Sequence, residues 1–229
     1  MNKAVKIIAE VLLAIAAVAL VYAIYSSVMQ PVNFNKEKAR RQEVAVQRLK
    51  DLRTLEVAYK GVNNRFTDSI DTLKMFYETG KMDITMQVGS NDDSLAVANT
   101  ARIKKANKNI TNEELLALYR QGEKLVFSIS TPIAVKDTLF NNRPDFCVDS
   151  LAYIPFSGGQ KVEMESIVKM VSGVQVPLFE ARMPWRALLK GMDNQLRINL
   201  DSECENMNRY TGLQVGSVTA PNNNAGNWE

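Results

Sequence analysis

Cys147 and Cys204 are the only thiols in a chain of 229 residues that contains no histidine. The missing histidine removes in one step the usual general base, the usual zinc ligand and the usual switch near neutral pH. The two cysteines lie far apart with no CxxC spacing. They read either as one long-range disulfide suited to an oxidising periplasm or as two buried free thiols. Asn91-Asp92-Asp93 carries calcium-binding side chains, but neither the glycine nor the distal glutamate of an EF-hand follows at the required spacing. That run reads as solvated loop. GxSxG, P-loop, GxGxxG and HExxH runs are all absent from the sequence. The remaining carboxylates fall among charged helices and loops where solvation explains them, so the chain reads as non-enzymatic and without a cofactor or metal. A net charge of +3, spread along the chain, gives no nucleic-acid footprint.

The elements that organise these residues begin with an apolar stretch. Residues 7–29 contain a single charge, Glu10. At about 1.5 Å rise per residue the stretch spans roughly 34 Å, enough for a hydrocarbon core of about 30 Å. Lys3 and Lys6 would also suit a cleaved signal peptide, but an h-region of that kind is shorter, about 7–15 residues. Small residues are scattered through the stretch instead of collecting at one end, and Tyr22 and Tyr25 suit interfacial aromatics. The expectation is a retained, single-pass anchor in contact with the lipid bilayer. Glu10 would then snorkel to the headgroups or pair with Lys6. Orientation is contested within the sequence. Lys36, Lys38, Arg40, Arg41, Arg48, Lys50 and Arg53 follow the span, and the positive-inside count places the body in the cytoplasm. A short N-terminus before a large C-terminal body is the layout of a signal anchor and places it outside.

Pro31 predicts a kink or short break just past the span. Over residues 34–62 the pattern becomes helical. Ala45, Leu49, Leu52, Leu55, Tyr59 and Val62 step by three and four and draw one apolar stripe, with charges on the other faces. Gly61 and Asn63-Asn64 supply the stop. The stripe has two readings: packing on the chain's own body, or a seam for assembly with a partner helix.

Several residues here resemble those of type II secretion pseudopilins and related type IV pilin-like proteins: Asn35-Lys36-Glu37-Lys38-Ala39, Tyr59-Lys60, Asn64-Arg65-Phe66-Thr67 and Leu73. The likeness covers roughly residues 34–75. It departs from the pattern at three places. No glycine precedes Gly61, so the peptidase site of that family is missing; Glu10 is displaced by about a turn; and Phe66-Thr67 stands where Tyr-Pro is expected. A second likeness extends over nearly the whole chain. Residues 46–54, residues 66–76 and the ending Met207-Asn208-Arg209-Tyr210 to Gly226-Asn227-Trp228-Glu229 resemble a family of single-pass envelope proteins of Bacteroidota. The two resemblances imply an inner-membrane anchor with a periplasmic body, and a long helix packed on a small, mostly antiparallel sheet. They also imply assembly with other envelope proteins or with further copies of the chain.

The body, residues 63–218, reads as α+β. Asp68 or Ser69 caps a short helix ending at Gly80; residues 89–112 form a polar, exposed and mobile insertion; Thr111 and Glu114 make a capping box. Strands are expected over 125–135, 151–156, 196–200 and 213–218. A hairpin is expected at Ser172-Gly173, with Pro177 marking an edge strand. Residues 184–191 read as a short helix and 219–229 as a flexible tail. The function expected is that of a structural or assembly subunit of a cell-envelope machine of secretion or pilus type. The competing expectation is a tethered periplasmic module that captures a protein or glycan through residues 89–112.

Overall fold

A computed structural model describes residues 3–229, with the side chains of residue 7 and of residues 10–229. The basic flank at residues 1–6 and the Lys6–Glu10 pair lie outside the described side chains. The architecture is α+β: one long N-terminal helix and two small antiparallel sheets. Helix α1 runs from Lys3 to Asn63 with Pro31 inside it, so the expected short break is not present. The proline ring removes only one backbone hydrogen bond, and the helix continues through it. The helix ends as its sequence requires. Asn64 takes a left-handed φ of 57°, and its N–H donates to the Lys60 carbonyl at 2.8 Å.

The chain divides into two compact units. The first comprises residues 1–54, 66–70 and 147–229. It holds a three-stranded sheet in the order β3 (Glu163–Val171), β4 (Val174–Pro184), β5 (Gly212–Gly216), with the one-turn helix α6 (Trp185–Leu188) and helix α7 (Asn194–Asn206). Ser172 and Gly173, both at positive φ, make the expected hairpin turn. Strand β4 is central, not an edge, yet Pro177 obeys the edge rule. Strand β5 pairs only with residues 180–184, so Pro177 has a neighbour on one side alone, Val168 of β3. Phe179, Leu188, Leu189 and Val215 are buried, and Phe66 meets Phe179 at 4.7 Å between ring centroids.

Two strands expected in this unit are not present. Residues 148–152 form a 3-10 turn, followed by a lone bridge between Tyr153 and Lys161. Residues 196–200 lie inside α7. The Leu-Arg-Ile-Asn-Leu alternation is too short to decide the period. The helix is decided by the Asp193 cap, which accepts from Leu196 N–H at 2.8 Å, and by the Arg197–Asp201 and Gln195–Asn199 pairs one turn apart. The tail is docked, not free. Asn227 N–H donates to the Gln214 carbonyl at 2.9 Å, Gly226 bridges Val215, and Glu229 pairs with Arg53 at 2.8 Å.

The second unit comprises residues 55–65 and 71–146. It holds most of α2 (Ile70–Thr79) and a two-stranded ribbon of β1 (Lys81–Val88) with β2 (Phe127–Ala134). It also holds α3 (Ser94–Ala106), α4 (Asn112–Arg120) and the one-turn α5 (Val135–Thr138). Strand β1 went unread in the sequence, although Met82, Ile84, Met86 and Val88 alternate. The 89–112 segment is not a mobile loop. Asp93 caps α3 by accepting from Leu95 and Ala96 N–H, and Thr100 Oγ1 accepts from Val126 N–H at 2.9 Å. The capping box is present: Glu114 N–H donates to Thr111 Oγ1 at 3.2 Å, and Thr111 N–H to Glu114 Oε2 at 2.9 Å. A small core of Leu115, Leu125 and Phe127 receives Ile103 and Ile110. Gly89 is fixed by space, since a Cβ at its φ of 80° would stand 2.1 Å from the Leu125 carbonyl oxygen.

Candidate functional site

The candidate site is the stretch of α1 where the apolar span ends and the striped half of the helix begins. Its apolar positions follow the spacing read above. Ala45, Leu49, Leu52 and Leu55 are all but fully buried and Tyr59 nearly so, while Val62 is exposed. This corrects the partner-seam reading: within one chain these residues are already covered and have no surface to offer. Phe34, also buried, extends the stripe toward the apolar span.

Three arginines on this helix each hold main-chain carbonyls of a different segment. Arg41 Nη1 donates to the carbonyls of Leu188 (3.2 Å) and Lys190 (2.9 Å). Arg48 Nη1 donates to Ser150 (3.0 Å) and Tyr153 (2.7 Å). Arg53 Nη1 reaches the Asn224 carbonyl at 3.2 Å as well as the Glu229 carboxylate. A guanidinium suits this work because its several N–H groups diverge in one plane and satisfy loop carbonyls that no ladder satisfies. Arg48 is half-buried, and burial lowers its pKa from the usual arginine value, opposed by the charge of Cys147. Sequence reasoning had assigned these arginines to solvated faces. A signal was present: Arg41 and Arg48 stand one helical step before Ala45 and Leu52, so they belong to the stripe.

Closer to the apolar span, Glu37 accepts from Arg40 (2.8 and 2.7 Å) and from Arg41 (2.8 Å). Those bonds hold its carboxyl at about 2, against the opposing effect of burial. The Arg40 and Arg41 guanidinium carbons lie 4.9 and 5.0 Å from the ring centre of half-exposed Phe156. Gln30 Nε2 donates to Asp193 Oδ2 at 2.6 Å, bringing the start of α7 level with the first residue past the span. The Leu196 N–H is the largest cause of a lowered Asp193 pKa, and Gln30 adds to it. Between these groups opens a groove of about 520 Å³, lined by Tyr22, Tyr25 and Met29 on its apolar side and by Glu37, Met192 and Asp193 on its other. Tyr22 and Tyr25 are both exposed on the helix beside this groove. Glu10 is exposed along the span.

A second, polar cleft of about 260 Å³ is lined by Glu163, Arg186, Arg197, Asp201 and Thr211 among others. Arg197 pairs with Asp201, whose Oδ1 is buried without a hydrogen bond. Burial raises the Asp201 pKa, the Arg197 charge opposes it, and the Glu205 charge adds to it. Beside it Arg182 gathers Glu180 (3.1 Å), Glu163 (3.5 Å) and Glu165 (3.7 Å). Tyr210 is pushed up to about 12, chiefly by burial. No element of this cleft was read from the sequence, because its residues come from four separate stretches.

The two cysteines are not joined: Cys147 is an exposed free thiol and Cys204 a half-buried one. This corrects the disulfide reading. Among the described residues no group of three or more Cys, Asp or Glu side chains is placed to hold a metal ion. No known family model, curated protein or solved structure matches the chain. Helix α1 is long and apolar enough to be compatible with a single transmembrane span, with a mean hydropathy of 2.3 over its most apolar window and none of that window buried.

Proposed function

We propose that this chain is a non-enzymatic, membrane-anchored structural or assembly subunit of a cell-envelope machine, pilin-like or pseudopilin-like in build. In this reading α1 crosses the inner membrane and the body stands in the periplasm. Other envelope proteins or further copies of the chain are its partners. A long N-terminal helix continuing from an exposed apolar span into a packed α+β body supports the build.

The observation that carries the assembly role is the β3–β4 hairpin. Among the described residues, the β4 edge has no third strand beyond Glu180, and the outer edge of β3 is not paired with another strand. Ile167, Val168, Met170 and Val174 are 41, 54, 61 and 63% exposed. By register Val168 shares a face with Pro177, and Ile167 with Leu178, so both faces of the ribbon are apolar. Free ladder groups flanked by apolar side chains are what strand addition requires. The test is cross-linking in native membranes followed by sizing in mild detergent. The expected result is an oligomer or a defined hetero-complex that Val168→Asp with Met170→Asp shrinks at unchanged melting temperature. A cross-link-free monomer in membranes would sink the proposal.

A tethered binding module is the second reading, favoured by one observation. Arg102, Lys104, Lys105 and Lys108 are all exposed on and just after α3, with no acidic residue among them. Binding of an acidic glycan or peptide to the full chain, lost on charge removal there while the monomer persists, would favour it.

A further inference from the structure

We infer that the membrane-facing end of the first unit is a docking surface for anionic phospholipid headgroups, built from Lys36, Lys38, Arg40 and Lys190. The inference rests on reading residues 7–29 as a bilayer span, because the span sets the level of every group that follows. Lys36 stands seven residues past Met29, about 10 Å along the helix. The headgroup layer extends roughly 5–7 Å beyond the hydrocarbon. Lys36 and Lys38 therefore lie within about one Debye length, 8–10 Å, of the lipid phosphates. The body reaches down to the same level through the Gln30–Asp193 hydrogen bond.

Charge complementarity selects the occupant. These four cations and Arg41 share this end with two carboxylates, Glu37 and Asp193, and both carboxylates are engaged. Glu37 is shared by Arg40 and Arg41, and Asp193 caps α7 and accepts from Gln30. Lys36, Lys38 and Lys190 have no carboxylate within ion-pair distance among the described residues. The Lys190 ammonium lies over Gly158, where a Cβ would come within 3.0 Å of it, two residues from the Phe156 ring that carries Arg40 and Arg41. Like charges held together without an opposing group repel one another. A leaflet of anionic headgroups relieves that repulsion, and a juxtamembrane basic cluster is attracted to such a surface. The half-exposed Phe156 adds an apolar contact of the kind found at the interface. The free lysines of α3 and the loop after it, Lys104, Lys105 and Lys108, serve as an internal reference remote in sequence from the span.

The experiment uses the full chain reconstituted into vesicles of phosphatidylcholine alone, or of phosphatidylcholine with phosphatidylglycerol. Flotation of the alkali-washed neutral vesicles reports the span independently of charge. A water-soluble amine-reactive label, read peptide by peptide, then reports docking. The expected result is that labelling of Lys36, Lys38 and Lys190 falls roughly threefold or more in the anionic vesicles, while Lys104, Lys105 and Lys108 change little, and that high salt restores it. Glu37→Gln, which adds positive charge at the same end, should deepen the protection. Floating chain with equal labelling in both vesicle types overturns the docking surface and leaves the span standing. Chain that fails to float in neutral vesicles overturns both.

Discussion

The two halves of α1 form one continuous helix and live in opposite environments. Leu12, Leu13 and Val18 are 61, 74 and 70% exposed, whereas Leu49, Leu52 and Leu55 are at or below 1%. The same residue type is thus presented outward in the first half and enclosed in the second. In the first half apolarity runs all round, a pattern compatible with an apolar medium. In the second half apolarity is confined to one stripe, so the medium is water on one side and protein on the other. Composition decides the first case and spacing the second.

The largest expected break in that comparison is Leu52→Ala. It should destabilise the folded body by roughly 2–5 kcal/mol, measured by thermal or denaturant unfolding in detergent. A loss under 1 kcal/mol would show that the stripe does not carry the packing described. Next comes Arg48→Ala, which strands the carbonyls of Ser150 and Tyr153. A loss of about 1.5–3 kcal/mol is expected, from two hydrogen bonds with a charged donor. Arg48→Lys should recover only part of it, because the lysine ammonium stops one bond short of the Nη1 position that makes both contacts.

A smaller effect is expected at the tail. The Glu229 carboxyl is held below its usual range, first by its bond to Arg53 and then by the Gly226 N–H. A lowered folded pKa means the contact is fully present above the usual glutamate value of about 4.3 and is lost as pH falls through the lower folded value. Fluorescence of half-buried Trp228 should therefore step in that acidic window, and Glu229→Gln should remove the step. The smallest effect belongs to Leu13→Ala. Its side chain is largely exposed, so body stability should stay within about 0.5 kcal/mol of the parent. A larger loss would mean that the first half also packs on protein.

Much of the second half was legible because its signals are local. The period of Ala45, Leu49 and Leu52, the stop at Asn64, the Thr111–Glu114 box and the Ser172-Gly173 turn each involve residues within a few positions of one another. The misreadings have a common cause. Leu196 to Leu200 alternates like a strand, but the cap that makes it a helix lies at Asp193, outside the window that was read. Residues 89–112 look like solvated loop by composition, yet Thr100 and Ile103 tie them to β2 and its core. The tail lacks any period of its own because it takes its order from Gln214 and Arg53.

By itself the sequence determined where a helix must be apolar all round, where it must be apolar along one stripe, and where it must stop. Those outcomes depend on hydration and backbone geometry, which act residue by residue. Only the tertiary structure decided that Arg41, Arg48 and Arg53 hold carbonyls instead of facing water. It alone decided that the stripe is closed within the chain, that the two thiols stand apart, and that the β3–β4 hairpin is left uncovered. Those outcomes depend on which distant segments come within hydrogen-bond or van der Waals reach, and no local spacing encodes that.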